Sequence, residues 1–217
     1  MTTDHYGHGP CYPELVAVVI AGALHVITEL TVSGFAGRVV NALLVLAFAA
    51  YLVWRAHRSP GALRHWGFRR DNLRPALGVH LGFATAGALV LLGIGAFLGR
   101  LALPATFFLT LLLYPLWGLA QQFALQNLIA RNLTALGGRL PIALAASALF
   151  AASHYPRLEL VALTFVGGVF FTLIYRRWPN LWAVALAHGL LGALAFYLIL
   201  GEDPGTMILD AVGGRSS

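Results

Sequence analysis

The sequence predicts an all-α, polytopic bundle of membrane-spanning helices with about seven crossings. Three observations carry this. Of 217 residues, 59% are apolar and only 10% charged, far from the balance of a water-soluble domain. The apolar residues fall into runs long enough to cross a bilayer. The 14 basic residues are all Arg, and they cluster between the runs.

The first 12 residues, rich in Gly and Pro, read as a mobile tail. His5, His8 and Cys11 stand there at spacings that a metal could use, but a tail is the simpler reading. The run at 13–32 follows no basic leader segment and is long enough to span, so it reads as a retained helix rather than a cleaved signal. A second helix is expected over 36–54, and residues 13–60 together form a two-helix N-terminal region. Next comes the long polar stretch His65-Trp-Gly-Phe-Arg-Arg-Asp-Asn-Leu-Arg-Pro-Ala-Leu-Gly78. Its aromatics among Arg place it at the membrane surface, and Pro75 suits the start of a helix. Further spans are expected over 75–98, 104–130, 158–175 and 180–200, with a short seventh over 141–154. The core domain is 61–200, and 201–217 is a C-terminal tail.

Charge orients the spans. The 55–74 connection holds six Arg, 131–140 two, and Arg176–Arg177 two more; the alternate loops hold four. Ten against four places the N-terminus in the cytoplasm, in what is read as a bacterial inner membrane. Lipid headgroups, not nucleic acid, are the expected partners of the excess positive charge. The lone Cys11 excludes an internal disulfide.

Within the spans the polar residues are few: His25, Glu29, His80, Gln121, Gln122, Gln126, His154 and His188. Such groups are costly in hydrocarbon and face a bundle interior or a wet cavity. Gln121 lies ten residues before Arg131, His154 thirteen after Pro141 and His188 eight after Asn180. At 1.5 Å per helical residue these are about 15, 20 and 12 Å from the Arg-rich face, so three helices deliver polar groups to a similar level. Gly118, Gln122 and Gln126 fall on one helical stripe, with Gln121 turned about 100° away. Amides in this setting serve as interhelical hydrogen-bond glue unless neighbours give them chemistry. For His25 and His80 the plain reading is packing and hydrogen bonding.

Three segments supply such neighbours. Trp117-Gly-Leu-Ala-Gln-Gln-Phe-Ala-Leu-Gln-Asn127, Ser147-Ala-Leu-Phe-Ala-Ala-Ser-His-Tyr-Pro156 and Asn180-Leu-Trp-Ala-Val-Ala-Leu-Ala-His-Gly-Leu-Leu-Gly-Ala-Leu-Ala-Phe196 resemble, in this order, the CPBP family. That family comprises intramembrane proteases, including type II CAAX prenyl endopeptidases and bacterial bacteriocin-processing or self-immunity proteins. The resemblance runs from about Gly67 to Tyr197. The family's first motif is Glu-Glu, three residues, Arg; the second is Phe, three residues, His; the third is His, three residues, Asn. Here the second stands intact as Phe150…His154, the first reads Gln121-Gln122…Gln126, and the third reads His188…Gly192.

The resemblance implies that Gln121 and His154 occupy the positions that activate water. His188 and position 192 then occupy those that stabilise the oxyanion. An amide can orient water but cannot accept the proton of a general base, and Gly192 has no side chain to donate. Gln122 and Gln126 stand where the family has a carboxylate and its Arg, so both members of a charge pair are neutral, which avoids a bare buried charge. Two readings stay open. One is a membrane-embedded peptide hydrolase relying on His154, with Glu159 or Glu29 as a replacement carboxylate. The other is a catalytically silent relative that binds a membrane peptide or lipid as partner, regulator or immunity factor. A transporter is disfavoured because no inverted repeat is visible. No cofactor is expected: zinc could use His154 and His188, but two His without a carboxylate or Cys make a poor zinc site.

Overall fold

The computed structural model describes residues 10–32, 34–58 and 61–213; His5 and His8 lie outside them. The described residues form helices and no strand: α1 (Tyr12–Thr31), α2 (Gly34–Arg58), α3 (Ala62–His65), α4 (Leu73–Phe97), α5 (Thr106–Phe123), α6 (Arg139–Ala152), α7 (Leu158–Tyr175), α8 (Leu181–Ala195) and α9 (Pro204–Gly213). After α5 the chain continues as a π-helical turn over Ala124–Ile129 and a 3₁₀ helix over Ala130–Leu136, and α8 ends in a π turn over Phe196–Leu200. Six segments are long and apolar enough to cross a membrane, and α6 is a shorter apolar helix. The expected spans are thus present. At 14 residues α6 reaches about 21 Å, shorter than the hydrocarbon core. The helix α9 is an addition to what the sequence led us to expect of the C-terminal tail.

Two compact units interleave along the chain. The first draws on Met1–Trp66 and Phe123–Arg177, the second on Gly67–Gln122 and Trp178–Ser217.

In the first unit, Leu125, Ile129, Ala130, Ile142, Ala146 and Phe150 form a buried cluster, with Leu15, Val18 and Leu133 packed against it. Small residues let α7 lie close on α6: a Cβ on Gly168 would sit 2.8 Å from Ser147 Oγ, the close-approach contact that packs helices in lipid. Phe123 holds edge-on ring contacts with Phe48 at 5.9 Å and Trp66 at 5.1 Å. The Trp66 carbonyl accepts from Asn127 Nδ2 at 3.2 Å and Tyr175 Oη at 2.9 Å.

Helices α1 and α2 of this unit share two polar links. Glu14 accepts a hydrogen bond from Tyr51 and lies 3.8 Å from Arg55. Asn41 Oδ1 lies 2.9 Å from His25 Nδ1, and Asn41 Nδ2 donates to Glu29 at 3.0 Å. Because Asn41 Oδ1 can only accept, His25 donates from Nδ1. His25 and Glu29 therefore join α1 to α2 through one amide, in keeping with the hydrogen-bonding role expected of His25.

In the second unit, α8 lies along α4, with Gly87 facing Leu191 and Gly95 facing Leu198. Asn180 starts α8. Its Oδ1 accepts from Ala183 N at 3.1 Å, while its Nδ2 donates to the Arg69 carbonyl at 2.8 Å and to Asn72 Oδ1 at 2.9 Å. The polar surface stretch is thereby tied to the beginning of α8, capping a donor that would otherwise be orphaned. At the far end of that helix Arg100 donates to the Ile199 carbonyl, a cation at a helix C-terminus as the dipole favours. Asp203 opens α9, accepting from Thr106 Oγ1 at 2.6 Å, Thr206 N at 3.0 Å, Thr206 Oγ1 at 2.8 Å and Tyr197 Oη.

Candidate functional site

Pro115 sits inside α5 and Gly118 follows three residues later. A Cβ on Gly189 of α8 would lie 2.8 Å from Pro115 Cα and N, and a Cβ on Gly118 would lie 3.0 Å from His188 Cδ2 and 3.2 Å from the Ala185 carbonyl. Nothing but hydrogen fits between the two backbones at this crossing. Such an approach is what Gly at both positions permits.

One turn beyond Gly118, Gln122 is 1% exposed, and its Nε2 lies 2.9 Å from His188 Nδ1. An amide nitrogen only donates, so Nδ1 accepts and the ring proton resides on Nε2. The uncharged His188 consequently presents an N–H from its outer nitrogen. A carboxylate at 122 would do the opposite, drawing the proton to Nδ1.

Position 192 lies one turn further along α8 from His188. A Cβ there would stand 2.2 Å from Tyr114 Cε1, 2.9 Å from Cδ1 and 3.2 Å from Cζ. The Tyr114 ring thus covers the face where a side chain at 192 would project. It is parallel to the His188 ring within 10°, with centroids 6.4 Å apart, and it meets Phe196 edge-on at 5.7 Å.

Gln121, Gln122, His188 and Gly192 belong to the second unit, Gln126 and His154 to the first. The structure brings Gln122 and His188 together. Gln121 is half-buried, and among the described residues no hydrogen bond engages it.

Gln126 departs from the stripe drawn from the sequence. The helix widens into a π turn over Ala124–Ile129, which breaks the 3.6-residue register between Gln122 and Gln126. Gln126 is instead buried, and its Nε2 lies 3.3 Å from Thr172 Oγ1 of α7. The same π and 3₁₀ turns separate Gln121 from Arg131, so the uniform rise used to estimate its depth does not hold there. His154 likewise lies past the end of α6, at Ala152, and not within the helix.

In that turn, His154 Nδ1 is 3.1 Å from the Phe150 carbonyl and 3.5 Å from Ser153 Oγ. Its ring rests edge-on against Phe150, with centroids 5.0 Å apart. The carbonyl accepts the Nδ1 proton, leaving the lone pair on Nε2. The two histidines thus hold opposite tautomers, His154 suited to accept a proton and His188 to donate a hydrogen bond. The Phe of the second motif serves through its backbone as well as its ring.

Glu159 is exposed in the first turn of α7, where an acidic residue favours the helix dipole; it is a surface charge. His80 is fully buried, its Nδ1 2.8 Å from the Ala76 carbonyl of its own helix. Among the described residues no three His, Cys, Asp or Glu side chains are grouped as ligands of one metal ion. Sequence reasoning missed Tyr114. The signal was available: Tyr114, Gly118 and Gln122 stand at i, i+4 and i+8 on α5, facing His188 and Gly192 at i and i+4 on α8.

A membrane-embedded helical protein with motif residues on α5, at the end of α6 and on α8 is the class defined so far. Residues 103–194 match the family described as type II CAAX prenyl endopeptidase, Rce1-like. Across this segment, which holds every motif position from Gln121 to Gly192, the chain is similar to CAAX-type membrane proteases. No curated protein and no solved structure matches the chain.

Proposed function

We propose that this protein binds a membrane-associated peptide in the manner of its family and leaves the peptide uncut. The observation that carries this reading is the 2.9 Å contact of Gln122 Nε2 with His188 Nδ1. It gives an uncharged His188 a fixed outer N–H, the complement of a peptide carbonyl oxygen. Carbonyl recognition is therefore supported by the geometry. Proton abstraction from water is not, because positions 121 and 122 both carry amides and neither takes up a proton.

A second reading, slow peptide hydrolysis, is favoured by one observation: His154 Nδ1 faces the Phe150 carbonyl, which leaves Nε2 able to act as a base. One experiment separates them. The purified protein in lipid nanodiscs is given a fluorescent prenylated CAAX-type peptide, with binding followed by anisotropy and cleavage by mass spectrometry. Binding without cleavage, weakened by His188→Ala, is expected. Cleavage abolished by His154→Ala would replace the first reading with the second.

A further inference from the structure

Gly192 has no side chain where the family has a hydrogen-bond donor, yet the volume at that position is filled. The Tyr114 ring occupies it, with Cε1 2.2 Å and Cζ 3.2 Å from the place of a Cβ. A phenol carries its hydroxyl on Cζ, so the Tyr114 oxygen lies within about 5 Å of that point. A carboxamide side chain at 192 would put its polar end at a comparable reach. The Tyr114 ring runs parallel to that of His188, and both stand on the crossing fixed by Gly118 and Gly189. Among the described residues the Tyr114 hydroxyl engages in no hydrogen bond, whereas those of the other tyrosines that are not exposed, Tyr51, Tyr175 and Tyr197, all do.

We infer that Tyr114 supplies the hydrogen-bond donor missing from position 192, so that its hydroxyl binds the carbonyl oxygen of a peptide substrate. The inference rests on the peptide-binding reading above and names the second donor of that same site. A phenol is a neutral donor with its position set by a rigid ring, and it needs no partner on α8. A donor on the facing helix thereby stands in for the one that α8 lacks.

The test uses the full-length protein in nanodiscs and two fluorescent prenylated peptides. One has its normal amide, and in the other the carbonyl of the recognised amide is reduced to a methylene. Tyr114→Phe deletes only the hydroxyl. It is expected to weaken binding of the amide peptide by about two- to tenfold, the worth of one neutral hydrogen bond, and to leave the reduced peptide unaffected. Gly192→Ala, which crowds the ring while leaving the hydroxyl in the sequence, should reproduce that pattern and add little in the Tyr114→Phe background. Equal loss for both peptides would mean that Tyr114 only packs the helix crossing, and overturns the inference. So would unchanged binding by Tyr114→Phe where His188→Ala weakens it, although the peptide-binding reading would then stand. Binding of neither peptide by the unaltered protein would remove both.

Discussion

Restoring the family's side chain at position 192 should destabilise this protein, and by an amount that its partner controls. In Gly192→Asn the new Cβ would stand 2.2 Å from Tyr114 Cε1. Carbon atoms in contact prefer about 3.5–4.0 Å, so the ring must retreat by roughly 1.3 Å or more. It is flanked by His188 and Phe196, and overpacking of this kind costs about 1–3 kcal/mol. Tyr114→Ala alone removes a half-buried ring and should cost about 2 kcal/mol, toward the low end of large-to-small losses. In the double variant the Asn finds the space already vacated. We expect its added cost to fall to about zero, giving a coupling of roughly 1–3 kcal/mol between the two sites. Equilibrium unfolding of the four proteins in mixed micelles measures this. Additivity within about 0.5 kcal/mol would refute the claim that Tyr114 fills the place of the missing side chain. The same clash means that Gln121→Glu, Gln122→Glu, Gln126→Arg and Gly192→Asn combined cannot rebuild the family's site unless Tyr114 is also made smaller.

Gly168→Ala would bring a Cβ within 2.8 Å of Ser147 Oγ and should lower stability by about 1–3 kcal/mol. Ser147→Ala, which deletes a fully buried hydroxyl without a hydrogen-bond partner among the described residues, should be neutral or stabilising by thermal unfolding and should relieve Gly168→Ala. Burial pushes the Asp203 carboxyl up, but hydrogen bonds from Thr106, Tyr197 and Thr206 outweigh it and bring it from 3.8 to about 2. A depressed carboxyl stabilises the fold above its unfolded value, and that contribution is lost as pH falls from 3.8 through about 2. Protection of the α9 amides, corrected for intrinsic exchange, should fall over that window and stay level in Asp203→Asn. If the Arg distribution sets topology, a cysteine at position 64 will resist an impermeant thiol reagent in intact cells while one at 202 reacts; the reverse labelling would exclude a cytoplasmic N-terminus.

The long helices were legible because hydrophobic run length is a one-dimensional property. The expected spans 13–32 and 158–175 correspond to Tyr12–Thr31 and Leu158–Tyr175. Register inside a helix was less legible. The stripe through Gln122 and Gln126 assumed uniform 3.6-residue turns, and the π turn beginning at Ala124 sends the two amides to different partners. Nothing in Ala-Leu-Gln-Asn-Leu-Ile marks such a turn, and the partner that Asn127 finds there, the Trp66 carbonyl, is remote in sequence. The site was half visible. His154 and His188 stood out as ionisable groups in apolar runs, but Tyr114 looked like an ordinary aromatic. Its place over Gly192 depends on what lies across from it, and absence of a side chain at Gly192 is informative only once the facing ring is seen.

The three glutamines are best understood through their partners. Where a carboxylate and an Arg neutralise one another inside the family's membrane core, each depends on the other, and losing one leaves a bare charge costing about 3–5 kcal/mol. Here the amides depend on different groups: Gln122 on the His188 ring and Gln126 on the Thr172 hydroxyl. Both partners are neutral and both contacts are made by the amide nitrogen, which a carboxylate could not replace without changing the partner's proton. Thr172 would have to turn its hydroxyl proton toward a new acceptor, and His188 would have to carry a proton on Nδ1. Returning Glu to position 122 alone would therefore demand a proton on His188 Nδ1 at the same time as it restored a charge. The neutral residues are fitted to one another: Gln122 against the His188 ring, Gln126 against the Thr172 hydroxyl and the Tyr114 ring over Gly192.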